Sequence, residues 1–485
     1  MQQTSNFLTY SPLESIAKRK GYHWFVVFTV CIGAFMAALD ASVINLALPS
    51  LAQQYHVTMS DIEWISLVYL LTLASLVIPF GRIADLFGRR LMYTAGFSVF
   101  LISSLFCGLS PSLTVLLISR VFQAIGAAML QANSVSIITA CTPVGHRGKA
   151  IGIQAGAQGI GLSLGPVIGG ALLSMGDWRW LFYVNIPIGI AGTILAFLLL
   201  PQDQPNRKRE TFDYWGFLFL TPALILIVFV LNRGQLAGWS SPVIGLSLFS
   251  ALIAMTAFIR EERRSRSPIM DFELFKDRVF VTGNISSFLS FTVMYGILLL
   301  SPFLMESEFH LSIVTAGLYL AVVPIGMTVF TPISGFLADR FGVRFPVVMG
   351  MSAVVAGCAL LALIRDGNEI GLLLSGLSLL GIGMGIFTPP NNSNIMGSVK
   401  PDRLGVAGAT LNMSRTLGMG MGVTLSGALF QFALLFLPAT KGLNMAAYRL
   451  SFVFICFISL AALLITVLRK KTHQRYSEEF IEYYI

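Results

Sequence analysis

Charge is scarce in this chain. Only 11% of its 485 residues are Asp, Glu, Lys or Arg, against about 25% in an ordinary soluble domain. The five cysteines (Cys31, Cys107, Cys141, Cys358, Cys456) lie in or beside apolar stretches. Their spacing fits no metal site, and an odd count without a loop pair argues against a disulfide framework. None of the five histidines (His23, His56, His146, His310, His473) falls in the middle of an apolar run. A membrane enzyme needs a convergent acid/base, nucleophile or metal set, and the apolar runs hold none. No connection between runs is long enough for the soluble output segment of a sensor.

Apolar residues are what the chain has in excess: 55% of the total, with a mean hydropathy of +0.78. Three soluble domains of about 150 residues each would leave many of them without an interior, so the natural solvent is lipid. The net charge of +9 does not indicate nucleic acid, which needs bases gathered on one face. Here they sit in short clusters between apolar runs, a pattern of membrane topology.

A membrane helix needs about 20 mostly apolar residues. Breaks at charges and at Gly/Pro clusters place spans near 23–48, 62–81, 91–109, 113–140, 150–175, 180–200, 213–231, 242–259, 280–304, 313–337, 345–364, 370–396, 406–436 and 448–468. The first is too long for a cleavable signal peptide, lacks a small-residue cleavage site, and continues into Asp40 and Asn45. With Lys18, Arg19 and Lys20 placed in the cytoplasm, twenty-five of the 32 bases fall on that side. Only Arg179, Arg233, Arg365, Lys441 and Arg449 fall opposite, while Arg120 and Arg415 lie inside spans. A miscounted helix would scramble this segregation. The expectation is fourteen spans with both termini, 1–22 and 469–485, cytoplasmic.

The segment GRIADLFGRR (81–90) returns as GFLADRFGVR (335–344), six of ten positions matching at an offset of 254. A weaker echo maps Gly161, Gly165 and Gly170 onto Gly418, Gly422 and Gly427. The chain therefore reads as an all-α membrane protein of six helices (23–200), two inserted helices within 201–279, and six more (280–468). Parallel six-helix repeats place a substrate site at mid-membrane between the halves, with access alternating as one half rocks on the other.

These residues resemble the major facilitator superfamily. GRIADLFGRR, with Gly81, Arg82, Asp85, Gly88, Arg89 and Arg90, resembles its signature loop between the second and third helices. Arg120 and Gln123 resemble its fourth-helix basic motif, and GLSLGPVIGG, with Gly161, Gly165, Pro166, Gly169 and Gly170, its fifth-helix antiporter motif. LDASVINLALP (39–49) is similar to the first-helix motif of the fourteen-span drug:proton antiporter branch. The resemblance implies a major facilitator fold and proton-driven export of small amphipathic compounds from a bacterial inner membrane. A periplasmic adaptor is then a candidate partner in a Gram-negative cell. No cofactor or metal is implied. The chain departs from the dication pumps of that branch, which carry further acids inside their helices. An importer or facilitator of a small metabolite is the alternative.

Coupling to protons needs a group that changes charge within the membrane. Of the 23 acids only Asp40 lies well inside a span, and such a carboxylate is costly and by default functional. The competing reading is a carboxylate bonded to a helix break that never titrates. Asp40 lies about 13 Å, and Arg120 about 10 Å, below the outer ends of their helices at 1.5 Å per residue. If the helix faces meet, the two either form a static pair that fixes packing or a pair that switches. Amides at Asn45, Gln123, Gln154, Gln158, Asn391, Asn392 and Asn412, together with Arg415 and Tyr295, are the candidate wall of a substrate cavity. Phe35, Tyr69, Phe291 and Tyr319 are candidate stacking residues. Glu63 and Trp64, at the outer mouth, suit either a gate or an interfacial anchor. The 81–90 loop is expected to latch the cytoplasmic side.

Overall fold

The computed structural model of the protein describes residues 21–143, 147–201, 214–237, 241–262, 264, 273–399, 404–436 and 443–468. The two tails, linkers 202–213 and 265–272, and the side chains of Arg82 and Asp85 lie outside that set. Apart from turns, everything described is helical. Thirteen helices are long and apolar enough to cross a membrane. The remaining expected span is Tyr214–Ala237, 24 residues with a shorter apolar stretch at Leu218–Ile227.

In the first half, α1 is Tyr22–Tyr55. The second span splits into α2 (Met59–Ile62) and α3 (Trp64–Phe87). Then follow α4 (Arg89–Gly108), α5 (Leu113–Cys141) and α6 (Arg147–Ser174). The sixth span splits into α7 (Trp180–Tyr183) and α8 (Asn185–Leu199). The inserted pair is α9 (Tyr214–Ala237) and α10 (Pro242–Glu262). The second half comprises α11 (Arg278–Ser307), α12 (Ile313–Phe341), α13 (Arg344–Leu363), α14 (Ile370–Gly397), α15 (Leu404–Phe436) and α16 (Leu443–Leu468).

Side chains fix several starts by accepting orphan backbone N–H groups. Ser112 accepts from Val115, Ser312 from Thr315, and Asp277 from Val279 and Phe280. Several boundaries differ from the sequence reading by four to seven residues, two of them at motifs. α1 runs on to Tyr55 through Pro49, because neighbouring helices satisfy the backbone group a proline frees within a membrane bundle. The 81–90 "loop" is mostly helix: α3 continues to Phe87 and breaks only at Gly88, whose φ of 102° needs a residue without a Cβ.

The repeat extends from sequence into conformation. Gly342, the counterpart of Gly88, also has positive φ (78°). His56, which caps α1, and His310, three residues past the end of α11, lie 254 residues apart and share a φ of 52°. Arg90 Nη2 donates to the Phe197 carbonyl on α8 at 2.6 Å, and its counterpart Arg344 donates to the Val467 carbonyl on α16 at 2.7 Å. Each arginine ties the third helix of its half to the sixth. Close packing is repeated too. A Cβ at Gly161 would sit 2.5 Å from the Phe35 carbonyl of α1, and Gly165 meets Ser42 of α1 equally closely. In the second half Gly418 and Gly422 press on the backbone carbonyls of Phe288 and Thr292 in α11.

The halves meet through α6 on α12 and through α3 on α15, with a lighter contact between α1 and α11. The inserted α9 lies across the α3–α15 seam, touching both helices, and α10 packs on α9. Arg233 of α9 pairs with Asp61 of α2 at 2.7 Å, and Phe229 stands 6.3 Å from Trp64.

Candidate functional site

Asp40 and Arg120 meet. Arg120 Nη1 donates to Asp40 Oδ2 at 2.6 Å, and the two side chains are 0% and 1% exposed, Arg120 being the fully sealed one. Asp40 Oδ1 accepts from Gln123 Nε2 and from Asn185 Nδ2, each at 2.9 Å. Gln123 turns its carbonyl to Arg120 Nη1 at 2.6 Å and donates to Ser104 Oγ at 2.7 Å. Arg120 Nε donates to the Ile65 carbonyl of α3 at 3.3 Å, and its guanidinium lies 4.2 Å above the Tyr69 ring. A buried ion pair persists only where other hydrogen bonds satisfy most of its remaining lone pairs and protons; here α3, α5 and α8 supply them, and Arg120 Nη2 is left without a partner among the described residues.

Local folding explains the convergence. Arg120 and Gln123, three apart on α5, share one helix face. Asn185, the first residue of α8, reaches Asp40 from the sixth span. Asn185 was not among the expected site residues, although it is an in-span amide like those that were. Gln123 was assigned to the cavity wall, but the structure seats it inside the Asp40 cluster.

The other candidates divide. Asn45 accepts from Ser66 Oγ at 3.2 Å. Together with Ser42, Leu162 and Pro166 of the first half and Met294, Tyr295, Leu298, Val323, Pro324 and Met327 of the second, Asn45 lines a cavity between the halves. Asn391 is buried within the second half, donating to the Gly283 carbonyl and to Ser287 Oγ at 3.1 and 3.0 Å, so it holds α14 to α11 and does not reach that cavity. Gln154, Gln158, Asn392, Asn412 and Arg415 are half-buried. Arg415 lies 4.7 Å over the Phe291 ring. Tyr69 and Tyr295, on facing halves, stand within electrostatic reach of each other, as do Tyr295 and Arg415. Tyr69 therefore adjoins the Asp40 cluster on one side and the cavity wall on the other.

Contacts between halves gather at the end of the bundle that carries few arginines. Gln53 Nε2 donates to Glu306 Oε1 at 2.6 Å, Gly170 abuts the backbone of Val314, and Gly317 presses on the Pro166 carbonyl. Glu63 is fully buried, its carboxyl lying against Gly427 of α15. Its helix-end position in the sequence had suggested the mouth of the protein, but packing of the opposite half seals it. Toward the arginine-rich end, residues 331–333, 335 and 336 of α12 are exposed. At about 100° per residue those positions form one arc of the helix, while Ser334 on the remaining face is buried, so the helix is covered on one side only.

The fold agrees with known proteins. The sequence profile of the Major Facilitator Superfamily matches residues 30–260, 234–423 and 284–482. The chain is 33% identical to the riboflavin transporter RibZ of Clostridioides difficile, over 84% of this chain and 88% of that protein. It is 30% identical to the multidrug resistance protein Stp of Mycobacterium tuberculosis, over 82% of this chain and 74% of that one. In three dimensions it is similar to a bacterial homologue of the human lysosomal transporter Spinster in an inward-facing, unoccupied conformation, with a TM-score of 0.65, 18% identity, and coverage of 93% and 97% of the two chains. Two repeated six-helix halves around a shared cavity, with the profile matched along nearly the whole length, make this chain a member of the major facilitator superfamily and a transporter, not an enzyme.

Proposed function

We propose that the protein is a proton-coupled antiporter that exports small amphipathic compounds by alternating access. The observation that carries this reading is the Asp40 cluster, a carboxylate sealed at 1% exposure against Arg120. When Asp40 takes up a proton, the cluster changes from neutral to a lone buried cation. That state is costly and favours any rearrangement that brings Arg120 another partner or water. Tyr69, stacked on Arg120 and facing Tyr295, carries the rearrangement to the cavity wall. The pair then acts as a switch, not as static packing.

The gathering of arginines at one end supports a cytoplasmic placement of that end in a bacterial inner membrane. Contacts between the halves at the opposite end, with one arc of α12 exposed near the arginines, support an inward-facing state ready to load. The relative named for multidrug resistance supports a broad small-molecule substrate range. The riboflavin transporter favours a second reading, transport of one small metabolite. Purified protein in proteoliposomes with an internal pH dye tests both. Under antiport, adding a transported compound on one side drives protons toward that side. Protons moving with the compound would indicate symport, and compound flux without proton movement would refute coupling.

A further inference from the structure

Resting on the reading that the cavity between the halves is the transport path, we propose that Arg415 and Phe291 form an anion subsite, so that the preferred cargo is a lipophilic monoanion with an apolar, ring-sized body. Three observations combine. Asp40 and Arg120 are bonded to each other and sealed within the first half, and Glu63 is sealed against Gly427 at its helix end. Arg415 remains, within electrostatic reach of Tyr295, which lines the cavity. Among the described residues no carboxylate pairs with Arg415, and its Nε–H is buried without an acceptor. Its guanidinium carbon lies 4.7 Å from the centre of the Phe291 ring, and a guanidinium fork matches the geometry of a carboxylate.

The apolar half of the ligand is accounted for as well. Tyr295, one helical turn beyond Phe291, lines the cavity with Pro166, Met294, Pro324 and Met327. Those walls are apolar, two of them are thioethers that adapt to irregular shapes, and they stand on both halves. A ligand bridging the cavity and Arg415 touches both halves. Anion binding at Arg415 adds negative charge near Tyr295, which is within electrostatic reach of Tyr69.

The test uses the full chain in lipid nanodiscs without a proton gradient, and three probes that share one body: 1-pyrenebutyrate, 1-pyrenebutanol and (4-(1-pyrenyl)butyl)trimethylammonium. Empty nanodiscs give the lipid background. In the wild type the acid should bind about tenfold tighter than the alcohol, the scale of a hydrogen bond to a charged group, and the ammonium probe weakest. Arg415→Gln should bring the acid to the alcohol's affinity and leave the alcohol unchanged, whereas Arg415→Lys should keep the order. Equal affinities for the three probes in the wild type, or a preference for the acid that survives Arg415→Gln, would overturn the proposal. The wild-type comparison decides even if a variant fails to fold. Equilibrium binding reads the subsite alone and proton flux reads coupling, so either can fail without the other.

Discussion

Replacing Asp40 with Asn tests the ion pair and the coupling reaction together. In the wild type the carboxylate receives three donors: Arg120 Nη1 at 2.6 Å, Gln123 Nε2 at 2.9 Å and Asn185 Nδ2 at 2.9 Å. An amide keeps one acceptor oxygen, which still serves Gln123 and Asn185, but turns its NH2 toward Arg120, donor against donor. Arg120 is 0% exposed and so becomes a buried cation without its counter-charge. Removing one partner of such a pair costs about 3–5 kcal/mol, partly offset by the Tyr69 ring beneath the guanidinium. Asp40→Asn should therefore melt well below the wild type in detergent. Asp40→Asn/Arg120→Gln should recover much of the loss, because it removes the stranded charge. Both variants should fail at proton-driven transport in proteoliposomes, since neither can cycle a charge at residue 40. Stability equal to the wild type for the single variant would refute the buried-charge account, and normal uphill export would refute the carrier assignment.

Gly165→Val should lower expression and melting temperature sharply, because even a Cβ would lie 2.5 Å from Ser42 of α1; unchanged melting would show that α1 and α6 have room to part. Arg90→Ala removes the tie to the Phe197 carbonyl and should slow turnover more than it weakens substrate binding; a fall in binding with normal turnover would contradict this. Cysteines placed along α9 and α10 should show no protection by substrate, since α9 lies outside the α3–α15 seam; protection at several positions would put the pair in the cavity. Matched dyes should bind in the order monovalent over divalent cation, because Arg415 stands within electrostatic reach of Tyr295 in the cavity wall and each nearby like charge costs on the order of a few kcal/mol at low dielectric. Tighter divalent binding would require a carboxylate such as Glu63 to reach the cavity.

The sequence alone determined the solvent, the fold class and the symmetry. Lipid permits only structures whose backbone polar groups are satisfied internally, so apolar runs of about 20 residues had to be helices, and the segregated bases pointed to fourteen crossings, of which thirteen are met by length and composition among the described residues. The repeated glycines were legible because a positive φ at Gly88 and Gly342 admits no other residue comfortably. Asp40 and Arg120 stood out because a charge inside a span is rare enough to be inventoried by reading. Which charges touch was another matter. Burial of Glu63 depends on Gly427, 364 residues away in sequence, and its position at a helix end carries no trace of that contact. Gln123 and Asn391 looked alike as in-span amides, yet one joins the Asp40 cluster and the other holds α14 to α11. A helical residue's depth follows from its 1.5 Å rise, but the neighbour it faces depends on helix rotation and close packing at glycine contacts. Only the tertiary structure decides that a carboxylate and a guanidinium are sealed together in one half while Arg415 lies over Phe291 in the other without a paired carboxylate among the described residues.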